Sequence, residues 1–181
     1  MKRINLVVVV LLLIIVGAAA ATLFVIKKNS EEFQNEAKND LLGSSEMSAV
    51  YTDLLGDEVN LEDFVGNILV INSWASWSPQ SQAELLILQK LAVEYSEKPV
   101  VFIAINRKES KEQAARFMST LPEVANVTVL IDTTDHFYSA VGGYAMPETI
   151  VYRRDGTTST HIRGTFNEDQ LRAKISESLV N

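Results

Sequence analysis

The chain contains no cysteine. Structural disulfides, thiolate metal sites, iron–sulfur clusters and thiol catalysis are therefore excluded for it. Histidine is almost as scarce. His136 and His161 stand far apart, and neither sits in a metal-ligand spacing such as H-E-x-x-H. No serine lies in a G-x-S-x-G element, and no internal repeat or low-complexity tract is visible. A clustered basic patch is missing and the net charge is −7, so nucleic acid is not an expected partner. The acidic balance bears on solubility more than on fold. No metal and no cofactor is expected.

What the chain does have is a long apolar run at its start. Ile4 to Ile26 carries no charged side chain, with Lys2 and Arg3 before it and Lys27 and Lys28 after it. A bilayer core of roughly 30 Å needs about 20 such residues as helix. A cleaved signal peptide would use Leu6–Val16 and the small residues Ala18-Ala19-Ala20. The apolar run continues through Leu23-Phe24-Val25-Ile26, which favours an uncleaved transmembrane anchor over residues 1–28. The flanking cations are nearly balanced, so orientation rests on the N-terminal amine. The N-terminus is expected in the cytoplasm and the domain on the extracytoplasmic side of the cell membrane. Residues 29–48 are polar and acidic, with Glu31, Glu32, Glu36 and Asp40, and read as a tether.

Residues 49–181 have a size close to that of one ordinary domain, roughly 100–150 residues. Val50–Leu54, a turn at Gly56-Asp57 and Val59 suggest a hairpin, and Leu61–Phe64 reads as one helical turn. Ile68–Ile71 and Val100–Ile105 are continuous apolar runs, the pattern of strands buried on both faces. Between them lies a long helix whose apolar face is traced by Ala83, Leu86, Ile87, Lys90, Leu91 and Tyr95. Ser110–Met118 is a second helix, Val127–Ile131 a strand and Asp135–Val141 a short helix stopped by Gly142-Gly143. Thr149–Tyr152 and Thr158–Ile162 form a hairpin across Asp155-Gly156. The last helix opens at Asn167 with Gln170 completing a capping box. This order implies an α/β fold, a mixed central sheet with helices on both faces.

The stretch Trp74-Ala75-Ser76-Trp77-Ser78-Pro79-Gln80-Ser81 follows the first buried strand. It resembles the W-A-S/T-W-C-x-x-C string of TlpA-like and redoxin members of the thioredoxin superfamily, with serine at both cysteine positions. The resemblance extends over most of the chain after the tether: Thr52–Leu54 and Leu61–Phe64 as the lead-in, Glu84 as the family-associated glutamate, Ala145-Met146-Pro147-Glu148-Thr149 as the X-Pro-T segment, and Arg154-Asp155-Gly156 as the late hairpin. It implies a thioredoxin-like three-layer sandwich, a cis peptide at Pro147 and a family activity of thiol–disulfide oxidoreduction. In that family the first cysteine sits at a helix N-terminus, where the dipole and unpaired N–H groups lower its pKa, and the second resolves the mixed disulfide. A serine hydroxyl stays protonated at neutral pH and closes no disulfide, so Ser78 and Ser81 cannot run the exchange.

The residues leave several readings open. Ser78 and Pro79 suit a helix N-cap and first helical position, and Ser81 with Glu84 is spaced as a capping box. On this reading no catalytic residue is expected. Trp77, Ser78, Pro79, Met146 and Pro147 would form a binding surface, with Trp74 near the core and the Met146 backbone pairing with an extended peptide. The expected function is a non-catalytic module binding an extracytoplasmic protein or peptide. The alternatives are an oxidoreductase by lineage, as a Cys-to-Ser variant or with a partner's thiols, and a serine- or metal-dependent enzyme. The last would need a base such as His136 or His161 beside a serine, or a metal held by Asp132, Asp135 and His136. For Asp135 a helix cap is the competing role.

Overall fold

A computed structural model describes residues 21–29, 46–122 and 126–180. The chain divides into Met1–Glu36 and Ala37–Asn181. In the first unit, residues 21–29 form helix α1. Most of the expected anchor and tether lies outside the described residues. No helix among the described residues is long and apolar enough to cross a membrane.

The second unit is built on a seven-stranded sheet, β1 (Val50–Asp53), β2 (Glu58–Asn60), β3 (Ile68–Trp74), β4 (Val100–Arg107), β5 (Val127–Asp132), β6 (Glu148–Tyr152) and β7 (Thr158–Arg163). Their order across the sheet is β2-β1-β5-β4-β3-β6-β7. The three central strands β3, β4 and β5 are parallel, and β1 and β6 flank them antiparallel. The helices are α2 (Ser81–Glu94), α3 (Lys111–Met118), α4 (His136–Ala140) and α5 (Glu168–Val180). Period-two alternation makes the layers: Ile68 and Val70 of β3 face the core beneath α2, α3 and α5, while Leu69 and Ile71 face a second core with Leu61 and Phe137. Both faces of the central strands are buried, which is why they read as unbroken apolar runs. Met47 is also fully buried in the second core.

Two expectations about β3 and α2 need correcting. β3 does not stop at Ile71 but continues through Asn72, Ser73 and Trp74, all buried. The polar Asn72 is accommodated because its amide donates to Glu84 and to Thr149 Oγ1. The buried face of α2 is Ser81, Glu84, Leu85, Leu88, Leu91 and Ala92, with Ala83 and Lys90 exposed. The helix is apolar nearly all round, so hydrophobic spacing alone does not choose a face. The inward bonds of Ser81 and Glu84 choose it. The box opening α5 forms as expected: the Asn167 N–H donates to Gln170 Oε1 and the Gln170 N–H to Asn167 Oδ1, each at 2.9 Å.

Candidate functional site

The chain leaves the sheet after Trp74 and closes a turn before α2. The Ser78 N–H donates to the Ala75 carbonyl and the Ser81 N–H to the Ser78 carbonyl, both at 3.1 Å. Ser78 is therefore not the N-cap. Its hydroxyl accepts from no N–H among the described residues, and the helix begins at Ser81 with Gln80 as a cap that makes no side-chain bond. Ser81 and Glu84 do not form a capping box either. The Ser81 hydroxyl accepts from the Ala75 N–H at 3.3 Å, stitching the helix start to the end of β3.

Glu84 points into the protein, 2% exposed. Its Oε2 accepts from Asn72 Nδ2 at 2.9 Å and its Oε1 from the Phe166 N–H at 3.3 Å. Burial pushes the carboxyl up to about 7, against these bonds, which favour the charged form. Asn72 Oδ1 is buried with no partner among the described residues.

Trp74 is fully buried, its ring 5.3 Å from that of Phe117, whereas Trp77 is 58% exposed. Between them, Ser76 is tied to Glu109: its N–H donates to Oε2 at 2.9 Å and its hydroxyl bonds Oε1. Asn106 and Gln113 donate to the same carboxylate. Ser78 is 4% exposed and its hydroxyl has no hydrogen-bond partner among the described residues. Pro79 and Gln80 are exposed. The accessible part of the motif is thus Trp77, Pro79 and Gln80 around a covered Ser78.

The Met146–Pro147 peptide is cis. Ser73 pairs with Glu148, so one step further along this register sets Pro147 level with Trp74. Pro147 is buried and Met146 half-buried. Glu148, also buried, holds the preceding loop: its Oε1 accepts from the N–H groups of Tyr144 and Ala145 at 2.8 Å, and its Oε2 lies 2.7 Å from His161 Nε2. The Tyr138 hydroxyl donates to the Ala145 carbonyl at 2.8 Å, and the Gly164 N–H to the Pro147 carbonyl at 3.0 Å. Arg107 lies over the Tyr138 ring at 3.5 Å and bonds both carboxylate oxygens of Asp135. A Cβ on Gly143 would come within 2.6 Å of the Tyr138 ring, so only glycine lets the loop pass there. The N–H and C=O of Met146 alone among the backbone groups of Met146 and Ala145 make no bond to a described residue.

The other expected constellations do not assemble. Asp135 occupies the N-cap position of α4 but makes no side-chain cap bond, because its carboxylate is engaged by Arg107. Asp132 caps instead, accepting from the Phe137 N–H at 2.8 Å. Among the described residues no group of three or more His, Asp and Glu side chains is arranged to hold a metal. His161 is committed to Glu148, and no base contacts Ser78. Glu109 and Glu148 are the residues that sequence reasoning missed. Glu148 carried a signal, as an acid opening an otherwise apolar strand. Glu109, between a lysine and a helix cap, carried none.

The chain matches the family model described as Redoxin over residues 20–178. It is 28% identical over 139 residues to the thiol-disulfide oxidoreductase ResA of Bacillus cereus (strain ATCC 10987 / NRS 248), covering 77% of this chain and 79% of that one. To ResA of Geobacillus thermodenitrificans (strain NG80-2) it is 27% identical over 138 residues, covering 74% and 76%. Among solved structures, a secreted Mycobacterium tuberculosis disulfide oxidoreductase homologous to E. coli DsbE superposes with a TM-score of 0.65 at 22% identity, covering 75% of this chain and 99% of that one. That likeness establishes the thioredoxin-like fold.

Proposed function

This chain belongs to the Redoxin family, and we propose that its thioredoxin-like domain is a non-catalytic binding module, held at a membrane by the N-terminal apolar run and facing the extracytoplasmic side. The relatives named thiol-disulfide oxidoreductases define the chemistry that a cysteine-free chain cannot perform by itself. The observation that carries the binding reading is the backbone of Met146. The adjoining N–H groups of Tyr144 and Ala145 and the carbonyls of Ala145 and Pro147 are all bonded, while the N–H and C=O of Met146 remain for a ligand. A donor and acceptor on one residue is what an extended peptide pairs with. Exposed Trp77 supplies apolar contact area at the same end of the sheet.

A photo-crosslinker placed at Gln80, exposed beside Trp77, tests the module in the cells that make it. The expected result is capture of a discrete partner, reduced at least fivefold by Trp77→Ala. Capture no higher than background, or capture indifferent to Trp77, removes the binding reading.

The apolar run Ile4–Ile26 and its flanking cations support the anchor and its orientation. A phosphatase reporter fused after Asn181, active only outside the cytoplasm, is expected to be active and to sediment with membranes. A silent fusion reverses the orientation, and activity in the soluble fraction replaces the anchor by a cleaved leader.

A further inference from the structure

We propose that the partner seated at this end of the sheet is an acidic, extended polypeptide segment. The inference rests on the binding-module reading and names the chemistry of its ligand.

Five carboxylates of this end face inward: Glu84, Glu109, Asp132, Asp135 and Glu148 are all buried. Glu109 accepts from Ser76, Asn106 and Gln113. Asp135 is matched by Arg107, Asp132 by the Phe137 N–H and Thr134, and Glu148 by two loop N–H groups and His161. None of these acids presents an open charge to solvent.

The cations face outward. Lys108, just after β4, has a side chain 68% exposed and forms a long ion pair, 3.9 Å, with the Asp135 carboxylate that Arg107 already engages, which leaves one positive charge in excess. Arg163, the last residue of β7, is exposed and has no carboxylate partner among the described residues. Its guanidinium lies 5.0 Å from the centre of the Tyr144 ring, and Tyr144 is 78% exposed. An exposed aromatic with an unneutralised arginine above it is a ready contact for a carboxylate-bearing side chain. On a chain of net charge −7, an outward arginine beside the loop of Met146, with a second outward cation after β4, selects a ligand of opposite sign. The paired donor and acceptor of Met146 match a peptide unit, whereas an anionic lipid headgroup matches only the cations. That asymmetry favours polypeptide over membrane.

The test uses the purified full chain and the fluorescence of Trp77, since Trp74 is fully buried. The probes are synthetic peptides of one alternating apolar pattern whose polar positions are filled with Glu, Gln or Lys, and vesicles rich in anionic lipid. Exposed ion pairs contribute modestly, so the Glu peptide is expected to bind about 10-fold tighter than the Gln peptide. Its advantage should shrink as salt is raised, and the Lys peptide should bind least. Arg163→Gln together with Lys108→Gln is expected to erase the difference between the Glu and Gln peptides while leaving the fold, read by circular dichroism, unchanged. Equal binding of the Glu and Gln peptides overturns the acidic preference and leaves the docking surface standing. Binding of vesicles in preference to every peptide overturns the choice of polypeptide. Binding of no probe at all overturns the inference together with the reading beneath it.

Discussion

Replacing both serines, Ser78→Cys with Ser81→Cys, is expected to turn an inert chain into one that closes an intramolecular disulfide and reduces insulin with a dithiol co-substrate. The wild-type chain should stay at the reagent background. The reason lies in the turn. The Ser81 N–H reaches the Ser78 carbonyl at 3.1 Å, a geometry that brings the two Cα atoms within about 7 Å, inside the range a disulfide spans. The first position precedes α2, where unpaired N–H groups and the dipole favour an anion. A free thiol of pKa about 8.5 is only a few per cent thiolate at neutral pH. One brought to about 7 by this setting is half ionised, so reactivity should exceed that of an equal concentration of a simple thiol by about 10-fold. Ser78 is covered and its hydroxyl bonds to no described residue, so a sulfur there displaces no hydrogen bond. Disulfide formation is read by mass after alkylation and turnover by insulin turbidity. A disulfide without turnover would mean that more than the thiols separates this chain from its oxidoreductase relatives. Insulin reduction by the wild-type chain would falsify the non-catalytic reading.

The fold was legible because its signals are local and redundant. Continuous apolar runs announced β3 and β4, Asp155-Gly156 the late hairpin, and Asn167 with Gln170 the start of α5. The site was legible only as a string. Trp77 and the Met146–Pro147 step are placed as the family resemblance implies, one exposed and the other cis. The roles given to Ser78, Ser81 and Glu84 were not recoverable, because a capping box and an inward-facing pair share the same spacing. What separates them is long-range: Asn72 lies twelve residues before Glu84 and Phe166 eighty-two after it, and no helix-start rule sees either. Glu109 and Glu148 escaped for a related reason. A buried acid is stabilised by donors scattered through the chain, so its role becomes visible only when Ser76, Asn106 and Gln113, or Tyr144, Ala145 and His161, are brought together.

Glu84 makes the stability of the domain depend on pH in an unusual direction, and Glu84→Gln should abolish that dependence. An ordinary paired carboxylate is stabilised in its charged form, and its contribution is lost on acidification. Here burial dominates and holds the folded-state pKa near 7 instead of 4.5. The folded protein therefore binds this proton more tightly than the unfolded chain, and stability from this group falls as pH rises between those values. The contribution is fully present below about pH 4.5 and lost by the time pH has passed 7. At 1.36 kcal/mol per pKa unit, the loss amounts to about 3 kcal/mol. Urea unfolding from pH 5 to pH 8 measures the effect, and subtracting the Glu84→Gln curve cancels every other titrating group. The variant should be about 2 kcal/mol more stable than wild type at pH 8, where it is spared a buried charge, and close to wild type at pH 5. Parallel curves would mean that Glu84 is charged throughout, held by Asn72 and the Phe166 N–H. The neutral state would then have to be withdrawn, while the hydrogen-bonded position of Glu84 between β3 and α2 would remain.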